Sequence, residues 1–68
     1  MGPEVGKLYQ NKLSGDVVVV LSVKPIDTFA NEEIDETTFL SVKVILKGNF
    51  TEIRHSRTGW AHRYQEAD

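Results

Sequence analysis

The chain has 68 residues, no cysteine and a formal net charge of −2. This length fits one small domain, residues 1–68, whose stability must come from apolar packing and hydrogen-bonded sheet, because disulfides and thiolate zinc sites require cysteine. The sequence has no run long enough to cross a bilayer and no basic-then-apolar leader, so we expect a cytoplasmic protein without membrane partners.

The charges are divided unevenly along the chain. Residues 1–36 contain three lysines and seven acids, a net charge of −4, whereas residues 37–68 contain five basic and three acidic residues, a net charge of +2. This asymmetry is consistent with an anion-facing surface or with complementary halves of one domain.

The first half of the chain predicts two strands and a loop. GKLYQ, residues 6–10, has the pattern of a short strand, and residues 11–16 have turn chemistry. VVVVLSVK, residues 17–24, is the strongest strand signal, because consecutive β-branched residues disfavour a helix. Pro25 is expected to end this strand, since proline donates no ladder hydrogen bond.

A long acidic loop is predicted between the second and third strands, over residues 26–36. Its acids are Asp27, Glu32, Glu33, Asp35 and Glu36. We expect these carboxylates to stay solvated and to be able to steer a basic partner towards the protein.

The second half predicts a hairpin and a closing segment. In residues 37–46 the pattern alternates, with Leu40, Val42, Val44 and Leu46 on the core face. Gly48-Asn49 is predicted as the hairpin turn, and residues 50–56 as the returning strand. Arg57-Thr58-Gly59 is predicted as a second tight turn. The final segment fits two patterns, since Trp60, His62 and Tyr64 alternate as in a strand whereas Trp60, Tyr64 and Ala67 lie on one helical face. We favour a short closing strand and leave open whether a helical turn leads into it.

These elements predict an all-β domain of about five antiparallel strands that closes into a small barrel to protect its edges. The order of a short strand, a Ser-Gly-Asp turn, a long bent strand, a loop, a tight hairpin and an aromatic closing segment resembles the SH3-like barrels, which include KOW and Tudor-type modules. GKLYQNKLSGDVVVVLSV also resembles the first hairpin of short phage-encoded barrel proteins. The resemblance implies an accessory protein that engages a host macromolecule and alters its activity.

No arrangement of residues in the sequence indicates catalysis. The closest nucleophile and base, Ser56 and His55, are adjacent in a predicted strand and therefore point to opposite faces. His55 and His62 with Glu52 or Glu66 would be a legitimate ligand set, but their spacing matches no recurring metal motif. We therefore expect a protein that is not an enzyme and holds no metal or cofactor.

The candidate binding residues lie in RHSRTGWAHRY, residues 54–64. They are Arg54, His55, Arg57, Trp60, His62, Arg63 and Tyr64. Tryptophan, tyrosine and arginine are enriched at interface hot spots, so a module that binds and modulates a host protein is our first interpretation.

Two alternatives stay open. In the first, Phe50, Trp60 and Tyr64 stack nucleic-acid bases beside the basic residues of the second half. In the second, exposed sheet edges pair with further copies to form a homodimer or a larger structural assembly. The sequence also leaves open whether Trp60 lies in the core or on the surface.

Overall fold

The structure is a computed structural model that describes residues 2–26 and 34–67. It contains strands β1 (Leu8–Asn11), β2 (Val17–Pro25), β3 (Phe39–Leu46) and β4 (Asn49–Ser56), helix α1 (Arg57–Arg63) and strand β5 (Tyr64–Glu66). The strands form one antiparallel sheet in the order β4-β3-β2-β1-β5. The all-β prediction is therefore confirmed.

The sheet is not closed into a barrel, and this part of the prediction is wrong. In the described chain β4 and β5 are the two edges of the sheet and do not pair with each other. A closed barrel would require the two edge strands, β4 and β5, to hydrogen-bond to each other. Instead α1 carries the chain from the end of β4 to the far side of β1, where β5 pairs with Tyr9, Gln10 and Asn11.

One face of the sheet carries the core. Its fully buried residues come from four elements: Tyr9, Val18, Val20, Leu40, Val42, Val44 and Trp60. The period-2 pattern places the predicted core residues of β3 correctly, with Leu46 partly buried against the cluster.

A bulge in β2 changes the alternation predicted for that strand. Val20 pairs with Val44 and Ser22 pairs with Lys43, so Leu21 is the extra residue. Val23 consequently reaches the core, whereas Leu21 is 39% exposed, although simple alternation predicts both on one face. The strand also continues through Pro25, which is its last residue.

The hairpin between β3 and β4 turns one residue earlier than predicted. Leu46 pairs with Asn49, so the two turn residues are Lys47 and Gly48, with φ of 51° and 80°. Positive φ at both positions is the requirement of a type I′ turn, which matches the twist of the flanking strands. Glycine at the second position meets this requirement without strain.

The predicted acidic loop is only partly described. Asp27, Glu32 and Glu33 lie outside the described residues, whereas Asp35 and Glu36 lie just before β3. Asp35 Oδ1 accepts hydrogen bonds from the backbone N–H of Thr37 at 2.8 Å and of Thr38 at 3.0 Å. The pKa of this exposed carboxylate is lowered by the hydrogen bonds that it accepts. The bond from the Thr37 hydroxyl has the largest effect, and those from the Thr37 backbone and from Thr38 follow. Asp35 therefore organises a turn.

None of the helices in residues 2–26 and 34–67 is long and apolar enough to cross a membrane.

Candidate binding groove

The predicted binding residues are distributed over three consecutive elements. Arg54 and His55 end β4, Arg57, Trp60, His62 and Arg63 belong to α1, and Tyr64 begins β5. Their exposure differs widely, since Arg54, His62 and Arg63 are exposed, His55, Arg57 and Tyr64 are half-buried, and Trp60 is 2% exposed. Trp60 is therefore a core residue.

Helix α1 replaces the tight turn predicted at Arg57-Thr58-Gly59. Ser56 is its N-cap, and the Ser56 hydroxyl accepts a hydrogen bond from the backbone N–H of Gly59 at 3.1 Å. The predicted turn is wrong because this cap begins a helix, and the favoured closing strand follows that helix at Tyr64–Glu66.

Three aromatic rings meet where α1 crosses the end of the sheet. The rings of Trp60 and Tyr64 stack with centroids 4.1 Å apart and planes at 16°. Tyr9 meets Trp60 edge-on, at 5.3 Å and 86°. The edge-to-face contact of Tyr9 with Trp60 is favourable for aromatic quadrupoles, and the stacked pair buries ring surface, so the cluster ties β1, α1 and β5 together.

The N-terminal segment packs against this cluster. The Tyr9 hydroxyl accepts a hydrogen bond from the backbone N–H of Glu4 at 2.9 Å, and Pro3 beside it is buried. The Cβ position of Gly2 would lie 2.8 Å from Arg57 Cγ, so the segment runs close along α1. The hydrogen bond to Tyr9 thus holds the segment before β1 against α1.

Between the N-terminal segment and α1 lies a groove of about 650 Å³. Its principal lining residues are Pro3, Tyr9, Lys12, Arg57, Trp60 and Tyr64. We call this feature the aromatic groove. Its volume is in the range of sites that hold small ligands or short peptide segments.

Charges of both signs border the aromatic groove, but they are not equally available. Glu4 and Glu66 also line it, and Lys7 bridges them with Nζ 3.0 Å from each carboxylate. The hydrogen bonds to Glu4 and then Glu66 raise the pKa of Lys7. The groove's two acids are therefore already paired with a cation.

The basic side chains of the groove bond to backbone carbonyls instead. Lys12 Nζ donates to the Ala61 carbonyl at 2.9 Å, and Arg57 Nη1 donates to the Asp35 carbonyl at 3.4 Å. A carbonyl dipole does not neutralise a cation, so these contacts leave both side chains able to attract an anionic group.

Trp60 contributes a buried donor with no acceptor. In the described part of the chain the indole Nε1 has no hydrogen-bond partner. Buried polar groups are rarely left unpaired, because the missing bond costs about 1–3 kcal/mol. This unmet donor belongs to a ring that lines the aromatic groove.

The remaining predicted residues lie elsewhere. Arg54 projects from β4 with Nη2 3.3 Å from Glu52 Oε1. His62 and Arg63 border a second depression, of about 430 Å³, with Lys12 and Leu13. With His55, which faces the interior, the predicted set is divided among four places, of which the aromatic groove holds Arg57, Trp60 and Tyr64.

His55 faces the interior at the end of β4. Burial, and secondarily the nearby Arg63 guanidinium, lowers the pKa of its imidazole below 6.5. Within residues 2–26 and 34–67 no group of three or more histidines or acids is placed to hold a metal ion.

Sequence reasoning missed Pro3, Tyr9 and Lys12 as groove residues. They precede the basic stretch by about fifty positions and join it only because β5 pairs with β1. The one signal in the sequence is that Tyr9 alternates with Leu8, which places the tyrosine on the core face of a short strand.

The opposite face of the sheet carries an exposed apolar row. Leu8 pairs with Val19, Val19 with Ile45, and Ile45 with Phe50, so the four side chains cross four strands in one line. Phe50 at its end is 83% exposed. We call this feature the outer row.

Comparisons with protein-family models, curated proteins and solved structures match nothing to this chain.

Proposed function

We propose that the protein is a non-catalytic, SH3-like module that binds an extended segment of a partner protein in its aromatic groove. The observation that carries the proposal is the groove itself, which is lined by aromatic side chains and by two cations that donate to backbone carbonyls. These are the features with which protein modules recognise extended peptides.

The order of elements supports the SH3-like part of the proposal. A short β1, a long and bulged β2, a tight β3–β4 hairpin and a helical turn before a short closing strand follow the order of the resemblance. Fold resemblance alone assigns no function, so the binding proposal rests on the groove.

The chemistry of the groove defines the partner segment. Apolar or proline residues of an extended segment would lie along Tyr64, the aromatic residue of the groove that is only half-buried. An acidic side chain in the segment would meet Lys12 or Arg57. The partner is therefore an exposed, apolar and acidic segment of a host protein, whose activity the bound module modulates.

The nucleic-acid interpretation has less support at this place. Base stacking needs an exposed aromatic face, and Trp60 is 2% exposed. The experiment that tests the peptide proposal therefore also includes nucleic acid as a ligand.

The proposal is tested by selecting peptides from a displayed random library on the immobilised protein and measuring their affinities by fluorescence anisotropy. Lys12→Glu reverses an exposed charge in the groove, and Lys24→Glu makes the same change of charge on β2, outside the groove. We expect acidic, apolar peptides whose affinity falls about tenfold or more in Lys12→Glu and stays within about twofold in Lys24→Glu.

Labelled single-stranded DNA and RNA form the second arm of the same experiment. Equal effects of the two lysine reversals on the peptides would contradict the proposed groove. Tight, steeply salt-dependent binding of an oligonucleotide without any selected peptide would replace the protein partner by nucleic acid.

A further inference from the structure

Strand β4 leaves one side of its backbone unpaired. The hydrogen bond of the Lys47-Gly48 turn joins Leu46 and Asn49, and along an antiparallel pair such bonded pairs alternate with non-bonded ones. The backbone groups of Thr51 and Ile53 therefore point to β3, whereas those of Phe50, Glu52 and Arg54 point away from the sheet. In the described chain no strand lies on that side of β4.

The side chains at this edge carry opposite charges two residues apart. Glu52 and Arg54 lie on the same face as Phe50, and they contact each other at 3.3 Å with the arginine side chain 67% exposed. Glu52 also accepts a hydrogen bond from the Ser41 hydroxyl. When a second copy of this edge runs antiparallel to the first, the glutamate of each copy can lie opposite the arginine of the other.

We propose that two copies of the chain pair antiparallel along β4, with Ile53 opposite Ile53 of the second copy, and extend the sheet across a two-fold axis. Glu52 then lies opposite Arg54 of the second copy, and Arg54 opposite its Glu52. The outward backbone groups of these residues face each other, so the paired copies exchange ladder hydrogen bonds. The same surface serves both copies, as a two-fold interface requires.

The charges and backbone directions of β4 make other registers less favourable. Sliding one copy by two residues places Glu52 opposite Glu52, or Arg54 opposite Arg54, and like charges directly opposite each other are destabilising. Sliding by one residue sets outward backbone groups against inward ones and removes the hydrogen bonds. The alternation of charge along β4 therefore selects one register.

The proposed register also covers exposed aromatic surface. Phe50 lies opposite Ser56 of the second copy, and Ser56 pairs with Phe39 within each copy. Phe50 is 83% exposed and Phe39 54% exposed, and a serine between them leaves room for the rings to approach. The outer row of one copy is thereby continued by a phenylalanine of the other.

The first test is sedimentation velocity over a concentration series. We expect a reversible monomer–dimer equilibrium in the wild type and a dissociation constant raised at least about tenfold by Arg54→Glu, which creates two Glu–Glu pairs per dimer. Lys24→Glu makes the same change of net charge on β2 and should leave the dissociation constant within about twofold. The exchanged variant Glu52→Arg/Arg54→Glu restores the cross-strand pairs and should restore dimerisation.

A monomeric wild type, or equal effects of the two charge reversals, would overturn the proposal. Peptide binding in the aromatic groove does not involve β4, so the two proposals fail independently. The single charge reversals alter exposed side chains, whereas the exchanged variant also removes the acceptor of the buried Ser41 hydroxyl. Far-UV circular dichroism of each variant therefore checks that the sheet is retained.

The second test reads the register directly, because the chain has no native cysteine. Ile53→Cys places two thiols opposite each other across the axis, within the Cα separation that a disulfide spans. Thr51→Cys places its two thiols four residues apart along the strands, about 13 Å, which is too far. We expect a disulfide-linked dimer from Ile53→Cys only; linkage at both positions or at neither would contradict the register.

Discussion

Replacing Trp60 by alanine should remove a large part of the stability of this domain. The side chain is 2% exposed and packs against Tyr9 and Tyr64 at 5.3 and 4.1 Å. Truncating a buried tryptophan typically costs about 3–5 kcal/mol, to which the two lost ring pairs contribute. A chain of 68 residues has a total free energy of unfolding of roughly 3–10 kcal/mol.

Trp60→Phe is expected to be much milder. A phenylalanine keeps a ring stacked on Tyr64 and removes the indole Nε1 that lacks an acceptor. The loss of packing volume is therefore offset in part by removal of an unpaired buried donor, and we expect a cost of about 1 kcal/mol. Leu13→Ala is the surface control, since Leu13 is 98% exposed, and should change stability by less than about 0.5 kcal/mol.

The assay is urea unfolding followed by far-UV circular dichroism at low protein concentration, with linear extrapolation to water. The expected order of destabilisation is Trp60→Ala, then Trp60→Phe, then Leu13→Ala. A Trp60→Ala cost below about 1 kcal/mol would show that the tryptophan is not part of the core, and it would refute the position assigned to α1.

Three further predictions concern the turn, the helix cap and the half-buried imidazole of His55. Gly48→Ala should cost about 1 kcal/mol by the same urea assay, because φ of 80° is strained for alanine although the Cβ has open space; no loss would argue against the type I′ turn. Ser56→Ala should also cost about 1 kcal/mol, since the Gly59 N–H loses its acceptor, and Ser56→Asp should recover most of it. The pKa of His55 is lowered in the folded state, mainly by burial, so the unfolded chain binds more protons as the pH falls through about 6.5. Stability should therefore decrease on acidification from about pH 7.5 to 5, and His55→Gln should flatten that decrease in urea midpoints. An unchanged slope would contradict the lowered pKa of the half-buried imidazole.

The local sequence predicts the strands well where alternation is simple. Val42 and Val44 fall on the core face as expected, because a period of two over a β-branched run leaves only the choice of face. The pattern does not predict the bulge at Leu21, because the extra residue becomes visible only in the register against β3. The hairpin is found but misplaced by one residue, since Lys47 has no turn preference and adopts positive φ in response to the two strands.

The aromatic groove could be predicted only in part. Trp60 and Tyr64 stand out in the sequence as large aromatic residues, but whether they are buried depends on contacts with Tyr9, more than fifty residues earlier. The closure expected from edge protection fails because α1 spans the end of the sheet instead of a hairpin. Long-range pairing of β1 with β5 thus decides both the fold's open edge and the composition of its groove.

The most direct test of the proposed function is the indole N–H resonance of the chain's single tryptophan. In a ¹⁵N–¹H correlation spectrum, titration with a selected acidic, apolar peptide should shift the Trp60 Nε1–H signal, because the indole ring stacks on Tyr64 in the wall of the groove. The backbone signals of Tyr9, Lys12 and Tyr64 should move with it, at the same apparent affinity. An unmoved indole signal at saturation, with shifts concentrated on Ile45 and Phe50 of the outer row, would contradict the assignment of the aromatic groove as the binding site.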